Sequence, residues 1–295
     1  MSMTHRISFI GILLFSTLTT FGQVGGNQVF SQYDGYNNKP PTPSPSRIYL
    51  TDSTFFINTN VLINVIADSY VATFGVAESA TTLKNANTKI DDRIQRFISA
   101  LKTIGIQQAD IYVDMTTQTR LLDYKESEKR YEEQFISGFE QKKNVIVKFK
   151  DIKDLDKMVI AASEYGIYDL VKVDYIVTDP NKIYMQLFQT AMELLKNKKD
   201  LYVKATNIKL KKTSKISNES FYSLAPAELY KSYTPKNIST HINYNRDRKD
   251  LPESITYYYD HINYSTFDKV INPVVTEPTV EFILLLQLKF DIEKE

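Results

Sequence analysis

The segment that most constrains this chain is its last apolar run. Val280, Phe282, Leu284, Leu286, Leu288 and Phe290 alternate along one face, while Ile283 and Leu285 keep the other face apolar too. Strict period-two alternation specifies a strand. A strand apolar on both faces cannot stay at a free edge, where its unpaired backbone would recruit other chains. The run therefore predicts an interior strand lying against helices. The preceding chain must supply partner strands on both sides and a helical cover.

The preceding chain supplies both kinds of element in turn. Residues 55–66 and 70–76 read as strands, broken near Ala67 and Asp68. Within 79–104, Leu83, Ile90, Ile94, Phe97, Leu101 and Ile104 form one stripe on a long helix, and Gly105 stands where a left-handed residue ends it. Strands follow at 111–122 and 138–150, flanking a charged turn at 124–133. A second helix spans about 152–165, with Asp151 as N-cap and Gly166 as stop, and a strand occupies 170–177. Asp179 and Pro180 open a third helix striped by Ile183, Leu187, Ala191 and Leu194, with Lys196, Lys198 and Lys199 at its C-terminal end. One more strand is expected near 206–214. Helices crossing between alternating strands predict an α+β fold: a mixed, mainly antiparallel sheet, helices on one face, and a loop-rich C-terminal insert at about 217–279.

The N-terminus carries an address. His5 and Arg6 precede the apolar run 7–15, with small residues at Thr20 and Gly22, so residues 1–22 read as a secretory signal cut before Gln23. Residues 23–46, with Pro40, Pro41, Pro43 and Pro45, read as an extended linker, and 47–295 as the folded domain. The expected location is the periplasm or the outer membrane. The later run 282–286 is too short to span a bilayer as a helix.

The order of these elements carries a family resemblance. Residues 71–202 resemble a SIMPL domain of bacterial periplasmic and outer-membrane immunogenic proteins. The match rests on Ala67-Asp68, Phe74-Gly75-Val76 and Asn85-Ala86-Asn87, then on Leu101-Lys102-Thr103-Ile104-Gly105-Ile106 and Asp110-Ile111. It continues through Gly138-Phe139, the strand from Asn144 to Val147, Asp154-Leu155-Asp156-Lys157, Gly166 and Asp179. Three positions depart from the pattern: Ala67 replaces a proline, the third helix is rich in Leu and Lys instead of Ala, and Glu277-Pro278 replaces Pro-Gly. The resemblance implies an envelope protein, in some members tied to oxidative-stress defence and to ring-like or channel-like oligomers. It brings no catalytic residues.

A direct search for chemistry returns little. With no Cys, disulfides, thiol catalysis and Cys-ligated zinc are excluded. Past Gly35 only Gly75, Gly105, Gly138 and Gly166 occur, too far apart for a phosphate loop or a dinucleotide fingerprint. His241 and His261, with Asp247 or Asp260, match no metal spacing and read as loop residues. The pairs Asp91-Asp92 and Glu132-Glu133 read as solvated faces; a hydrolase would need such acids brought together in three dimensions. Lys196, Lys198, Lys199, Lys204, Lys209, Lys211, Lys212 and Lys215 form a basic stretch, the alternative being a polyanion-binding module. The plainer reading is a helix end plus a lysine-guarded edge strand. A net charge of +1 gives no field to gather nucleic acid. The insert's eight tyrosines, Tyr257, Tyr258 and Tyr259 among them, either pack it onto its own domain or form a face for an envelope protein. The expectation is a non-enzymatic, self-associating protein without cofactor, metal or catalytic residue.

Overall fold

A computed structural model describes residues 43–125, 132–235 and 255–293. The expected signal at 1–22 and most of the expected linker at 23–46 lie outside these residues.

The fold is α+β, built on antiparallel sheets and three helices. The strands are β1 (Ile48–Leu50), β2 (Thr54–Val65), β3 (Ser69–Ala80), β4 (Ile111–Lys125), β5 (Glu133–Phe149), β6 (Asp169–Ile176), β7 (Leu210–Leu224), β8 (Tyr230–Tyr233), β9 (Thr256–Tyr259), β10 (Lys269–Ile271) and β11 (Val280–Ile292). The helices are α1 (Leu83–Ile104), α2 (Asp154–Glu164) and α3 (Pro180–Thr206). The strands divide between two main sheets. One runs β1-β2-β11-β7, with β10 sharing the β1 edge of β2; the other runs β4-β5-β3-β6. The division falls at Ala67 and Asp68, where the sequence breaks. Asp68 holds that corner, donating its N–H to the Ile176 carbonyl and accepting from the Thr178 N–H at 2.8 Å.

Each sheet carries its helices on one face. Ile90, Ile94, Phe97 and Leu101 of α1, with Leu155 and Met158 of α2, pack on Ala72, Phe74, Val145 and Val147. Leu187, Ala191 and Leu195 of α3 pack on Phe55, Ile57, Val61, Phe282, Leu284 and Leu286. The terminal strand β11 pairs with β2 on one side and β7 on the other, as its two apolar faces require.

Two of the three helix starts follow side-chain caps. Thr82 accepts from the Asn85 N–H, so α1 begins at Leu83, after β3 has run on to Ala80. Asp151 is not the N-cap of α2: it accepts from the Lys153 N–H within a turn whose Asp151 and Ile152 carbonyls take the Asp154 and Leu155 N–H groups, so the cap position falls to Lys153, without a side-chain bond, and the helix starts at Asp154. Asp179 accepts from the Lys182 N–H at 3.0 Å with Pro180 in the first turn.

Two boundaries differ from expectation. The third helix continues through Lys204 to Thr206, ending at Asn207 with φ 57°. The strand expected near 206–214 begins at Leu210 and reaches Leu224, taking the first residues of the expected insert. Almost every side chain of β7 is exposed, so neither face had an apolar period to announce it. The hairpin β4–β5 is also longer than expected, paired out to Lys125 and Glu133. Leu122, Tyr124, Phe135 and Ile136 stand about half exposed on its outer part.

Candidate functional site

Because side chains alternate, the face of the β2–β11 sheet turned away from α3 carries Phe56, Asn58, Asn60, Leu62 and Asn64 from β2, and Glu281, Ile283, Leu285, Gln287 and Lys289 from β11. This face has two unlike halves.

The first half is sealed by the insert. Leu62, Leu224 and Ile283 meet Leu229 and Ile262, with Tyr222, Tyr259, Tyr264 and Phe267 around them. Beneath lies a polar chain. Asn64 donates from Nδ2 to the Tyr264 hydroxyl and to the Asn272 carbonyl, both at 2.8 Å, and its Oδ1 accepts from the Thr279 hydroxyl at 3.4 Å. The Thr279 and Tyr259 hydroxyls lie 3.2 Å apart. Tyr259 reaches Glu281 Oε1 at 3.5 Å and the Ile262 N–H reaches the same oxygen at 3.4 Å, both near the limit of a hydrogen bond. Glu281 is 0% exposed, and its Oε2 has no hydrogen-bond partner. Burial pushes its pKa up to about 7, against the opposing pull of the Ile262 N–H, His261 and Tyr259. Burial likewise lifts Tyr259 and Tyr230 to about 12. A carboxyl protonated near neutrality could serve as an acid, but no substrate reaches one so enclosed. What the arrangement can do is couple protonation to the docking of the insert.

The second half is only partly covered by the described residues. An open cleft of about 330 Å³ lies between the segment Ser44–Tyr49 and the sheet, floored by Asn58, Asn218, Leu285 and Gln287. Asn58 Oδ1 accepts from Gln287 Nε2 at 2.7 Å, and Gln287 Oε1 accepts from the Ser217 hydroxyl at 2.8 Å. These bonds leave the Asn58 amide N–H groups and the Asn218 side chain for the cleft.

The residues singled out in the sequence do not converge. His261 stacks on Tyr264 with ring centroids 4.1 Å apart, and its Nδ1 lies 2.8 Å from the Ile262 carbonyl. Asp260 pairs with Lys231. His241 and Asp247 lie outside the described residues. Asp91 pairs with Lys143, whereas Asp92 pairs with Arg96, so the two neighbours serve separate ion pairs. Glu133 stands opposite Lys125 in the hairpin ladder, and Glu132 is exposed beside it. No group of three His, Asp or Glu suited to a metal occurs among the described residues.

The lysine stretch is not one face. Lys211 and Lys212 are neighbours on a strand and so point to opposite sides. Lys198 instead turns inward to Asp268 at 2.6 Å and to the Asn58 carbonyl. Asp268 also accepts from the Thr59 hydroxyl and the Asn60 N–H, both at 2.9 Å. Of the insert tyrosines, Tyr222, Tyr230, Tyr257, Tyr259 and Tyr264 are partly buried; Tyr233 and Tyr258 are exposed, and Tyr244 lies outside the described residues. Glu281 and the partly covered half-face escaped the sequence reading. A lone acid inside an apolar alternating strand was the one available signal for the former.

No helix among the described residues is long and apolar enough to cross a membrane. No curated protein matches the chain. Residues 60–249, nearly two thirds of its length, match the model of a family described as SIMPL, protein of unknown function (DUF541). Together with the α+β architecture and the order of its elements, that match means the chain belongs to the SIMPL family.

Proposed function

We propose that this chain is an exported cell-envelope protein that acts by binding and assembly rather than by catalysis, in oxidative or envelope stress defence. The observation that carries this reading is the partly covered sheet face. A central strand with Leu285, Gln287 and Lys289 only partly covered offers a partly accessible platform on a rigid scaffold. Asp91 and Asp92, one of the two acid pairs that a hydrolase would use, are engaged in separate ion pairs. The leader at 1–22 supports export to the periplasm or outer membrane.

A specific feature favours self-association as the mode of assembly. The outer part of the β4–β5 hairpin holds Leu122 opposite Ile136, with Tyr124 on the same side, all about half exposed. A two-stranded ribbon is marginal in water without a further layer. A second copy laid on that apolar side supplies one.

The test is native mass spectrometry of the exported protein, followed by capture from envelope extract and rescue of a deletion strain under oxidative stress. Discrete oligomers or a reproducible envelope partner are expected. A monomer that captures nothing, and whose deletion strain is rescued only when Asp91, Asp92, Glu132 and Glu133 are intact, overturns the reading in favour of a hydrolase.

A further inference from the structure

The partly covered half-face is basic at one end. Lys289 of β11 stands directly opposite Lys215 of β7, and Tyr49 of β1 stands opposite Phe56, which itself pairs with Lys289. Like charges directly across a ladder destabilise a sheet. Neither lysine, nor Arg47 at the cleft wall, forms an ion pair with any described acid; Asp291, on the same face one row along, reaches neither lysine. Arg47, Lys215 and Lys289 therefore make this face locally basic, with no described acid paired to any of them.

The neighbouring row sets the kind of anion. Asn58 pairs with Gln287 and Gln287 with Asn218, which lines up three amide side chains next to the lysines. The Asn58–Gln287 and Gln287–Ser217 bonds lock the amide plane in one orientation. Lys289 Nζ lies 5.8 Å from the Phe56 ring centre, a cation–π contact that holds the ammonium over the sheet. Tyr49, 48% exposed, presents a ring at the cleft mouth. Planar amides suit adjacent hydroxyl groups, an aromatic ring suits the apolar face of a sugar, and cations suit a carboxylate or phosphate. A cleft of about 330 Å³ falls within the range of small-ligand sites.

We infer that the face formed by Arg47, Tyr49, Asn58, Gln287, Lys289 and Lys215 binds an acidic saccharide, a sugar chain carrying carboxylate or phosphate groups. The inference rests on the binding reading above and gives it a ligand class. A nucleic acid is the poorer fit. The chain as a whole is only +1, and one accessible ring cannot stack successive bases.

The experiment is calorimetric titration of the full mature chain. The probes are a hexasaccharide alternating glucuronate with N-acetylglucosamine, the neutral N-acetylglucosamine hexamer, N-acetylglucosamine phosphate, and a single-stranded oligonucleotide. The expected result is binding of the glucuronate or phosphate probe, weakened by salt, with neutral sugar and oligonucleotide about tenfold weaker or silent. Which of the two acidic probes binds tells carboxylate from phosphate recognition. Lys215→Gln with Lys289→Gln, and Arg47→Ala separately, should each lower affinity about tenfold without lowering the melting temperature, because these side chains support no described ion pair and the lysine pair repels itself across the ladder. No binding of either acidic probe, equal binding of the oligonucleotide, or affinity indifferent to the variants overturns the inference. Capture of an envelope partner that survives the lysine variants would retain the binding reading while rejecting the saccharide site.

Discussion

Glu281 offers the sharpest physical test of how the insert is held. Its carboxyl is enclosed, one oxygen is unpartnered, and burial raises it from the ordinary 4.5 to about 7. Between those two values the folded protein keeps a proton that the unfolded chain has released, so stability falls as pH rises through this window. Below 4.5 both states are protonated and nothing is lost; above about 7 the whole penalty is present. At about 1.4 kcal/mol per tenfold change, that penalty is about 3 kcal/mol. Glu281→Gln keeps the shape and removes the titration. The stability gap between variant and parent should therefore widen by about 3 kcal/mol from pH 4.5 to pH 8, roughly 6–12 °C in melting temperature for a domain of this size. Because Glu281 accepts from the Ile262 N–H, exchange protection at Ile262 and around β9, taken relative to the intrinsic base-catalysed rate, should fall in the parent over the same pH range and stay level in the variant. A gap that stays constant to within about 1 kcal/mol would refute the reasoning, showing that Glu281 finds a counter-charge or water and is not held neutral.

The other expectations are simpler. Leu284→Asp or Leu286→Asp places a charge among fully buried neighbours in the middle of the sheet, and should cost about 4 kcal/mol or more in urea unfolding; normal melting of both refutes the packing of β11 on α3. Lys198→Met strands Asp268, whose carboxyl is held below 3.8 because Lys198, the Asn60 N–H and Thr59 outweigh the opposing effect of burial. The loss, about 2 kcal/mol near neutrality, should shrink as pH falls through that depressed value, and a pH-independent loss would refute the ion pair. Gly138→Ala would set a Cβ 2.8 Å from the Ala80 carbonyl oxygen and should cost about 1–3 kcal/mol by forcing β3 and β5 apart, measured by thermal melting. Leu122→Lys with Ile136→Lys should abolish oligomers in sedimentation runs while leaving the melt of the monomer unchanged; oligomers that persist refute the hairpin as the contact.

Wherever one face of an element is apolar, the sequence is legible. The stripes of α1, α2 and α3, the caps Asp179 and Gly105, and the interior position of β11 all follow from local spacing and burial demand. The same logic explains the failures. β7 and the outer β4–β5 hairpin expose both faces, so their side chains carry no period-two signal, and only pairing with β11 or with each other shows them to be strands. The tail of α3 was missed because Lys196, Lys198 and Lys199 look like a helix end although the helix continues to Thr206.

The sequence by itself determined the fold class, the order of the elements and the family, since these depend on the apolar period and on cap residues close together in the chain. Only the tertiary structure decided what each polar residue faces. Lys198 and Lys199 are neighbours in sequence, yet one meets Asp268, seventy residues away, and the other meets Asp200 beside it. Lys215 and Lys289 belong to distant segments, and the β7–β11 register sets them against each other. Glu281 stands out in the sequence only as a lone acid in an apolar strand, and its burial comes from the insert that closes over it. Charge acts across space, and which charges meet depends on sheet register and chain return, neither of which is encoded locally.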